Sequence, residues 1–238
     1  MSSWDTEETR RLIRTLYGPT QPLEMVRQCI SSVMYRRRYA RFHFQEVKVI
    51  LAAYAGIHLK SEYIANIVLL SNTAEQNKFE YCKTKIGAHV TATVQSIYEL
   101  TDILVKMVYF SLRCNLLPAS LIKNKYSLHT IQPFLSKNIG YSGIKVILDS
   151  ILGHKEFKFL TTLVNHSNYY SLIKATLWFD ATEKPQNPYT LKFQAFKYEG
   201  ENYGKRLVLA FLENEHNHLS KTVTKVGSVL NSVLLMKK

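Results

Sequence analysis

The side chains with the clearest potential for chemistry form a run of arginines and aromatic rings at residues 35–43, Tyr-Arg-Arg-Arg-Tyr-Ala-Arg-Phe-His. Guanidinium groups bind phosphate oxygens through paired hydrogen bonds, and neighbouring rings can stack on bases. The run therefore predicts a contact with RNA or another polyanion. The alternative is a solvated basic face whose stems cover apolar surface and whose charged ends pair with acids. The residues predicted to bind nucleic acid are Arg36, Arg37, Arg38, Tyr39 and Arg41.

The histidine that ends this run, His43, could move a proton. On a straight helix Arg36 and His43 project from nearly the same face, two turns apart. An imidazole acting as general acid or base beside a phosphate-binding cation suits RNA cleavage by the neighbouring 2′-hydroxyl. We therefore predict His43 as a catalytic residue.

Arg37 differs from the other arginines because its heptad position turns it toward the interior of a helical bundle. An unpaired cation in that environment is costly, so we expect a carboxylate partner. Asp102 and Glu46 are the two candidates. Such a pair could also be purely structural.

A polar segment at residues 163–173 places amides, an imidazole and phenols between a predicted helix and the first predicted strand. Connections of this kind often display functional side chains. We predict Asn165 and His166 as catalytic candidates on that basis. The alternative is a polar turn in which Asn165 or Ser167 caps the end of the helix.

Three further polar side chains, His89, Asp102 and His216, are expected on or near the inward faces of long helices. Histidines and a carboxylate on facing helices can bind a metal. A paired Glu-x-x-His motif on two helices is absent, however, and a single core histidine usually hydrogen-bonds and packs. We predict no metal and no cofactor. A small ligand held near His89 and His216 is a further alternative.

The composition is that of a globular protein, with 238 residues of which 46% are hydrophobic and 21% are charged. Thirty-one Lys and Arg residues against 18 Asp and Glu give a net charge of +13, which favours a polyanionic partner such as RNA. Phosphate-loop, dinucleotide, nucleophile-elbow and zinc-protease motifs are absent, which removes the usual signatures of those enzymes.

The cysteine content and the hydropathy indicate the cellular compartment of the protein. Three cysteines far apart provide no disulfide framework and no CxxC site, and they are expected to be small core residues. The longest stretch without Asp, Glu, Lys or Arg, residues 159–173, is too short and too polar to cross a bilayer. The N-terminus lacks the pattern of a secretory signal. We expect a cytoplasmic protein without a membrane partner.

Apolar residues recur in alternating steps of four and three through most of the chain, which predicts helices. A short helix should end near Tyr17, before Gly18 and Pro19. Long helices are predicted over residues 23–55 and 73–115, and shorter ones over 142–152 and 156–164. A last helix carries Leu212, His216 and Leu219 on its inward face. Residues 116–140 predict a loop with a short helical turn.

The period changes from 3.6 to 2 between residues 173 and 198, which predicts two strands joined by a loop at 182–188. Two strands alone are marginally stable, so this hairpin must pack on helices. The predicted fold class is all-α: an elongated up-and-down helical bundle with a small β-hairpin, residues 171–198, inserted before the C-terminal helix. The absence of linkers and repeats predicts a single domain over residues 1–238.

Over residues 78–173 the layout resembles the HEPN superfamily of helical bundles. A long helix carries Ser96 and, six residues later, Asp102. The segment VNHSNYYSLI at residues 164–173 is similar to bacterial sequences reading VNHSKHRSLI. Members commonly carry a polar or acidic residue on the earlier helix and an Arg-x(4–6)-His motif on a later one. This chain departs from that motif by having Asn168, Tyr169 and Tyr170 where Lys, His and Arg stand.

The resemblance implies an RNA-associated protein, a metal-independent endoribonuclease of a bacterial toxin or phage-defence system. Asp102 and Asn165 are the positions that the resemblance carries over. An antitoxin-like protein and a homodimer are the implied protein partners. The alternative function is a non-catalytic interaction protein whose amphipathic helices form a homo-oligomer or bind a partner. The catalytic candidates are His43, Asp102, Asn165 and His166.

Overall fold

The computed structural model describes residues 4–19, 21–58, 73–116, 126–179 and 189–237. This part of the chain is mostly helical, with a small antiparallel hairpin before the C-terminal helix, which confirms the mostly-α prediction. No helix in the described ranges is long and apolar enough to cross a membrane. The α-helices are α1 (Thr6–Tyr17), α2 (Gln21–His58), α3 (Thr73–Ser111), α4 (Leu128–Ser136), α5 (Ser142–Gly153), α6 (Lys155–Tyr169) and α7 (Val208–Leu235).

Capping interactions at both ends of α1 explain where this helix begins and ends. The Asp5 carboxylate accepts a hydrogen bond from the Glu8 backbone N–H at 2.9 Å and so caps α1. The helix stops at Gly18, whose φ of 70° lies in the left-handed region that glycine adopts without strain. Both signals are readable in the sequence, and the predicted end at Tyr17 is confirmed.

The hairpin pairs β1 (Ala175–Phe179) with β2 (Tyr189–Phe193) in antiparallel register, with Leu177 opposite Leu191. A third strand, β5 (Arg206–Leu207), adds to the other edge of β2. A second hairpin joins β3 (Phe196–Tyr198) to β4 (Glu201–Tyr203). These three extra strands have only two or three residues each, too few to show a period of 2. The predicted loop at 182–188 and an apolar segment at 61–70 lie outside the described residues.

The chain divides into two compact units. Unit 1 comprises Met1–Arg38, Ser96–Phe159 and Glu215–Lys238, and unit 2 comprises Tyr39–Gln95 and Leu160–Asn214. The core of unit 1 includes the fully buried side chains of Leu12, Ile30, Ile97, Ile131 and Leu148. In unit 2 the rings of Phe193 and Phe211 pack edge to face with centroids 5.9 Å apart, and Leu163 and Leu212 are buried in the same unit.

The short helical turn predicted within residues 116–140 is a helix of nine residues, α4, over Leu128–Ser136. A capping box between Ser127 and Thr130 starts this helix. Leu128, Ile131 and Leu135 are buried along one face, and this burial outweighs the backbone hydrogen bond that Pro133 removes. The proline itself is exposed, so its ring does not disturb the packed face.

Helix α6 also continues beyond its predicted end at residue 164 and finishes at Tyr169. Leu163 and Val164 are buried, and this burial favours continuation of the helix. The Ser167 hydroxyl donates to the Leu163 carbonyl at 2.8 Å. Asn165 and His166 are therefore helical residues, and the predicted polar turn begins only after Tyr169.

Candidate functional site

The arginine–aromatic run lies within α2 and spans the division between the two units. In unit 1, Arg36 forms an ion pair with Glu99 of α3, and both side chains are about one-third exposed. Arg38 is exposed and its guanidinium lies 6.0 Å from the Tyr35 ring centroid. In unit 2, Arg41 is exposed, and Tyr39 is 48% exposed. Arg38 and Arg41 thus have guanidinium groups that a phosphate can reach.

Arg37 is half-buried, as its heptad position predicts, and burial lowers its pKa. The expected ion pair with Asp102 or Glu46 is wrong for the described residues, because Arg37 contacts the Met34 sulfur at 4.0 Å and no carboxylate. A half-buried guanidinium can keep its charged end in water, so it does not require an acid. A different carboxylate, that of Glu99 on α3, pairs with Arg36, one position earlier on α2.

Asp102 lies half-buried on α3 in unit 1. Burial raises its pKa, the neighbouring Glu99 adds to that rise, and Lys106 opposes it. A carboxyl group in these surroundings favours the protonated form more than an ordinary aspartate does. The charged groups that act on Asp102 are therefore Lys106 and Glu99. Arg37, for which Asp102 was a candidate partner, is not among them.

His43 lies in unit 2 against His89 of α3, with their Nδ1 atoms 2.9 Å apart. One ring must donate and the other accept, which requires at least one neutral imidazole. Burial lowers the pKa of His43, the neighbouring His89 lowers it further, and Glu46 opposes the shift. The pair therefore favours a neutral His43. His89, which was not predicted as a neighbour of His43, is thus the partner of the predicted catalytic histidine.

Asn165 and His166 lie side by side in the last turns of α6, in unit 2. His166 Nδ1 lies 2.9 Å from the Ser171 carbonyl oxygen. A carbonyl only accepts, so Nδ1 carries the proton and donates it, and Nε2 keeps its lone pair. Asn165 hydrogen-bonds Tyr198 of β3. His166 is therefore held in the tautomer that can accept a proton at Nε2.

A cluster of rings surrounds His166, and we call it the ring cluster. The His166 ring centroid lies 5.5 Å from that of Tyr170, 5.2 Å from Phe196 and 6.2 Å from Tyr198. Phe196 in turn stacks on Tyr203 at 4.9 Å with 10° between the planes. Tyr170 is 72% exposed at the edge of the cluster. It offers a ring face on which a base could stack.

The predicted site residues are thus brought together only in part. Asn165 and His166 share the ring cluster, whereas His43 has His89 and Phe42 as its neighbours in the same unit. Asp102, Arg36, Arg37 and Arg38 belong to unit 1. Cys29 and Cys114 are buried as predicted, whereas Cys82 is only partly buried. Burial raises the pKa of Cys29 and of Cys114 to about 11 and so disfavours a reactive thiolate.

A groove of about 860 Å³ runs along α3 in unit 2. Its walls come from α3, from α6 and from the segment that leads into β1. Polar side chains at its edges include Thr91, Gln95, Ser167 and Lys174. The Gln95 side-chain amide also donates to Asn168 Oδ1 at 3.5 Å, in the last turn of α6.

One polar cluster in unit 1 was not predicted. It consists of His154, Glu215 and His218, whose potential ligand atoms all lie within 4.8 Å of one another. The sequence does contain a signal for it, because Glu215-x-x-His218 is a single Glu-x-x-His motif on α7. His216, predicted on the inward face, is partly buried, and its neighbour Glu215 is fully buried.

The chain was compared with family models, with curated proteins and with solved structures, and no match was found in any of the three comparisons.

Proposed function

We propose that this chain binds RNA and cleaves it as a metal-independent endoribonuclease of a bacterial toxin or phage-defence system. The observation that carries the proposal is the orientation of His166, whose Nδ1–H is bound to the Ser171 carbonyl. This leaves Nε2 as a proton acceptor in a ring cluster whose exposed member, Tyr170, can stack on a base. The HEPN resemblance, which carries over Asn165 and Asp102, agrees with this function.

In the proposed reaction, His166 Nε2 removes the proton from a ribose 2′-hydroxyl. The 2′-oxygen attacks the adjacent phosphorus, and the bond from phosphorus to the 5′-oxygen breaks. The products are a 2′,3′-cyclic phosphate and a 5′-hydroxyl, whose proton comes from solvent. His166 then returns its own proton to solvent, so protons balance. Asn165, which is held by Tyr198, orients the reacting phosphate.

Cations on the described surface supply the attraction for the phosphodiester backbone. Exposed lysines at Lys174 and Lys197 belong to the same unit as the ring cluster. Arg41 in that unit, and Arg38 in unit 1, add exposed guanidinium groups. The net charge of +13 adds a field that concentrates polyanions near the protein. Arg36 contributes less, because Glu99 already neutralises it.

The test is cleavage of a fluorescently labelled single-stranded RNA in EDTA, with the product ends analysed. We expect a 2′,3′-cyclic phosphate on the upstream fragment and a 5′-hydroxyl on the downstream one. Ends that carry a 3′-hydroxyl and a 5′-phosphate would contradict attack by the 2′-oxygen. A His43→Ala variant decides between the two predicted imidazoles, because loss of cleavage there with His166→Ala unaffected would move the reaction to His43.

A non-catalytic interaction protein is the second candidate, and exposed apolar side chains of unit 1 favour it. Ile139 is 94% exposed, and Val146 is 67% exposed on α5. Side chains of this kind are common in contacts with a second copy or with an antitoxin-like partner. Light scattering tests it: a dimer mass that falls to the monomer mass in an Ile139→Asp, Val146→Asp variant supports self-association. A monomer mass for the wild-type chain rules out the homodimer.

The elongated up-and-down arrangement, the single-domain organisation and the cytoplasmic location remain predictions from the sequence.

A further inference from the structure

The cluster formed by His154, Glu215 and His218 lies wholly within unit 1. His154 is the residue between α5 and α6, where its extended backbone, with φ −74° and ψ 120°, ends α5. Glu215 and His218 lie three residues apart on α7 and therefore on the same helix face. The two elements bring one imidazole toward a carboxylate and a second imidazole.

The three side chains are already close to one another. His154 Nδ1 lies 3.0 Å from the Glu215 Oε1 atom, and the rings of His154 and His218 have centroids 4.0 Å apart with 35° between their planes. All the potential ligand atoms lie within 4.8 Å. Two imidazoles therefore converge on the same carboxylate.

The cluster is unusual because its carboxylate is buried. The Glu215 side chain has no exposed area, whereas His154 is 34% exposed. A buried carboxylate needs a compensating positive charge, because removing it from water is costly. His154 and His218 supply a positive charge only when they are protonated. A divalent ion compensates the carboxylate charge while both histidines stay neutral.

We propose that His154, Glu215 and His218 form a binding site for a divalent transition-metal ion of the Zn²⁺ class. Two imidazole nitrogens and one carboxylate oxygen are the donor set that zinc accepts, with a water in the fourth position. Calcium and magnesium prefer sets made of oxygen alone. The partial exposure of His154 leaves room for the water.

The distances fit this ion after a small adjustment. Metal–ligand bonds of about 2.1 Å in a tetrahedral site place the ligand atoms about 3.4 Å apart. The potential ligand atoms lie within 4.8 Å of one another, so small side-chain rotations bring them to this spacing. The bound ion would tie the connection between α5 and α6 to α7.

This site is separate from the proposed ribonuclease function, which we expect to persist in EDTA. The two proposals therefore fail independently. Loss of RNA cleavage with metal binding intact would affect only the first, and absence of metal binding with cleavage intact would affect only the second.

The experiment starts from the full chain stripped with EDTA and dialysed. Zn²⁺ is titrated against a chromophoric chelator, and Co²⁺ is used as a spectroscopic probe of a tetrahedral site. We expect one Zn²⁺ per chain and visible absorption bands from bound Co²⁺. Since loss of residues that merely support a ligand weakens metal binding by about 10- to 100-fold, His154→Ala and His218→Ala should each weaken it at least tenfold.

His129→Ala is the matched control, because His129 is an exposed histidine of α4 in the same unit. It should leave Zn²⁺ affinity unchanged. His154→Ala is the most informative variant, since its side chain is partly exposed and its loss should preserve the far-ultraviolet circular dichroism spectrum. Absence of stoichiometric Zn²⁺ binding by the wild-type chain, or equal affinity in the folded His154→Ala variant, would overturn the proposal.

Discussion

Gly227 of α7 lies directly against the indole ring of Trp4, and a Cβ atom at this position would overlap the ring atoms Cγ and Cδ2. Trp4 is buried, and its Nε1 donates to the Thr9 hydroxyl at 2.8 Å. Thr9 donates in turn to Asn231 of α7 at 2.6 Å. The first residues of the described chain are therefore anchored on the last helix through a ring that only glycine allows so close.

Replacing Gly227 with alanine should destabilise the protein. The new methyl group must displace a buried ring held by a hydrogen bond, and overpacking of this kind costs about 1–3 kcal/mol. Gly87→Ala is the matched control, because Gly87 also lies inside a long helix but has open space around it. It should stabilise the protein by about 0.5–1 kcal/mol. Chemical denaturation measures both, and equal effects of the two variants would contradict the packing described for Trp4.

Asp102→Asn should stabilise the protein near neutral pH. Burial raises the pKa of Asp102 in the folded state, so ionisation there is less favourable than in the unfolded chain. At a pH above this raised pKa, the ionised Asp102 side chain therefore lowers the stability of the folded protein. This loss of stability disappears as the pH falls through the ordinary pKa range of an aspartate. Unfolding measured between pH 7 and pH 3 should show the stability gain of the variant shrinking with acid. A gain that is constant over this range would contradict the pKa direction.

Arg38→Ala and Arg41→Ala should each weaken RNA binding and its dependence on salt. Both side chains are exposed, and removing one cation that binds a phosphate should reduce the slope of log K against log salt by about 0.7 for a single strand. Arg11→Ala is the control, since it removes the same charge from a side chain that pairs with Glu8 at 2.6 Å. Binding isotherms at several salt concentrations measure the slope. An equal loss in the Arg11 variant would show that only net charge matters.

Tyr170→Ala should weaken binding of single-stranded RNA by about 1–3 kcal/mol, because stacking of a base on an exposed ring contributes that amount. Tyr81→Ala is the control: Tyr81 is 63% exposed in the same unit, has Lys85 over its ring and lies outside the ring cluster. Fluorescence anisotropy with a short oligonucleotide compares the two. If both variants bind like the wild-type chain, RNA does not stack on the ring cluster.

The sequence predicted the fold where the period of the apolar residues is long and regular. The predicted helices at 23–55 and 73–115 agree closely with Gln21–His58 and Thr73–Ser111, because many turns of one pattern average out local exceptions. The prediction was less accurate where a single local signal opposed tertiary packing. Because of Pro133 only a short helical turn was predicted, whereas three buried side chains of α4 support a helix of nine residues.

The sequence indicated which residues belong to the candidate site, but not which side chains contact one another. His43 and His166 were both predicted, yet their neighbours, His89 and Ser171, depend on contacts that no periodic pattern encodes. A carboxylate partner was predicted for Arg37, but Arg36 is the residue that has one, which is a shift of one position on the helix. Glu215, the fully buried neighbour of His216, was not predicted as a site residue, so the cluster with His154 was missed.

His166 is the base on which the proposed cleavage depends, and the cleavage rate of the His166→Gln variant in EDTA tests this role. Glutamine can keep a hydrogen bond to the Ser171 carbonyl but cannot accept the proton, so it separates proton transfer from structure. We predict a rate at least about 100-fold below that of the wild-type chain, with RNA affinity and the rate of His129→Gln unchanged. A wild-type chain that leaves RNA intact, or a variant that cleaves at the wild-type rate, would show that His166 is not the base of an RNA-cleaving site.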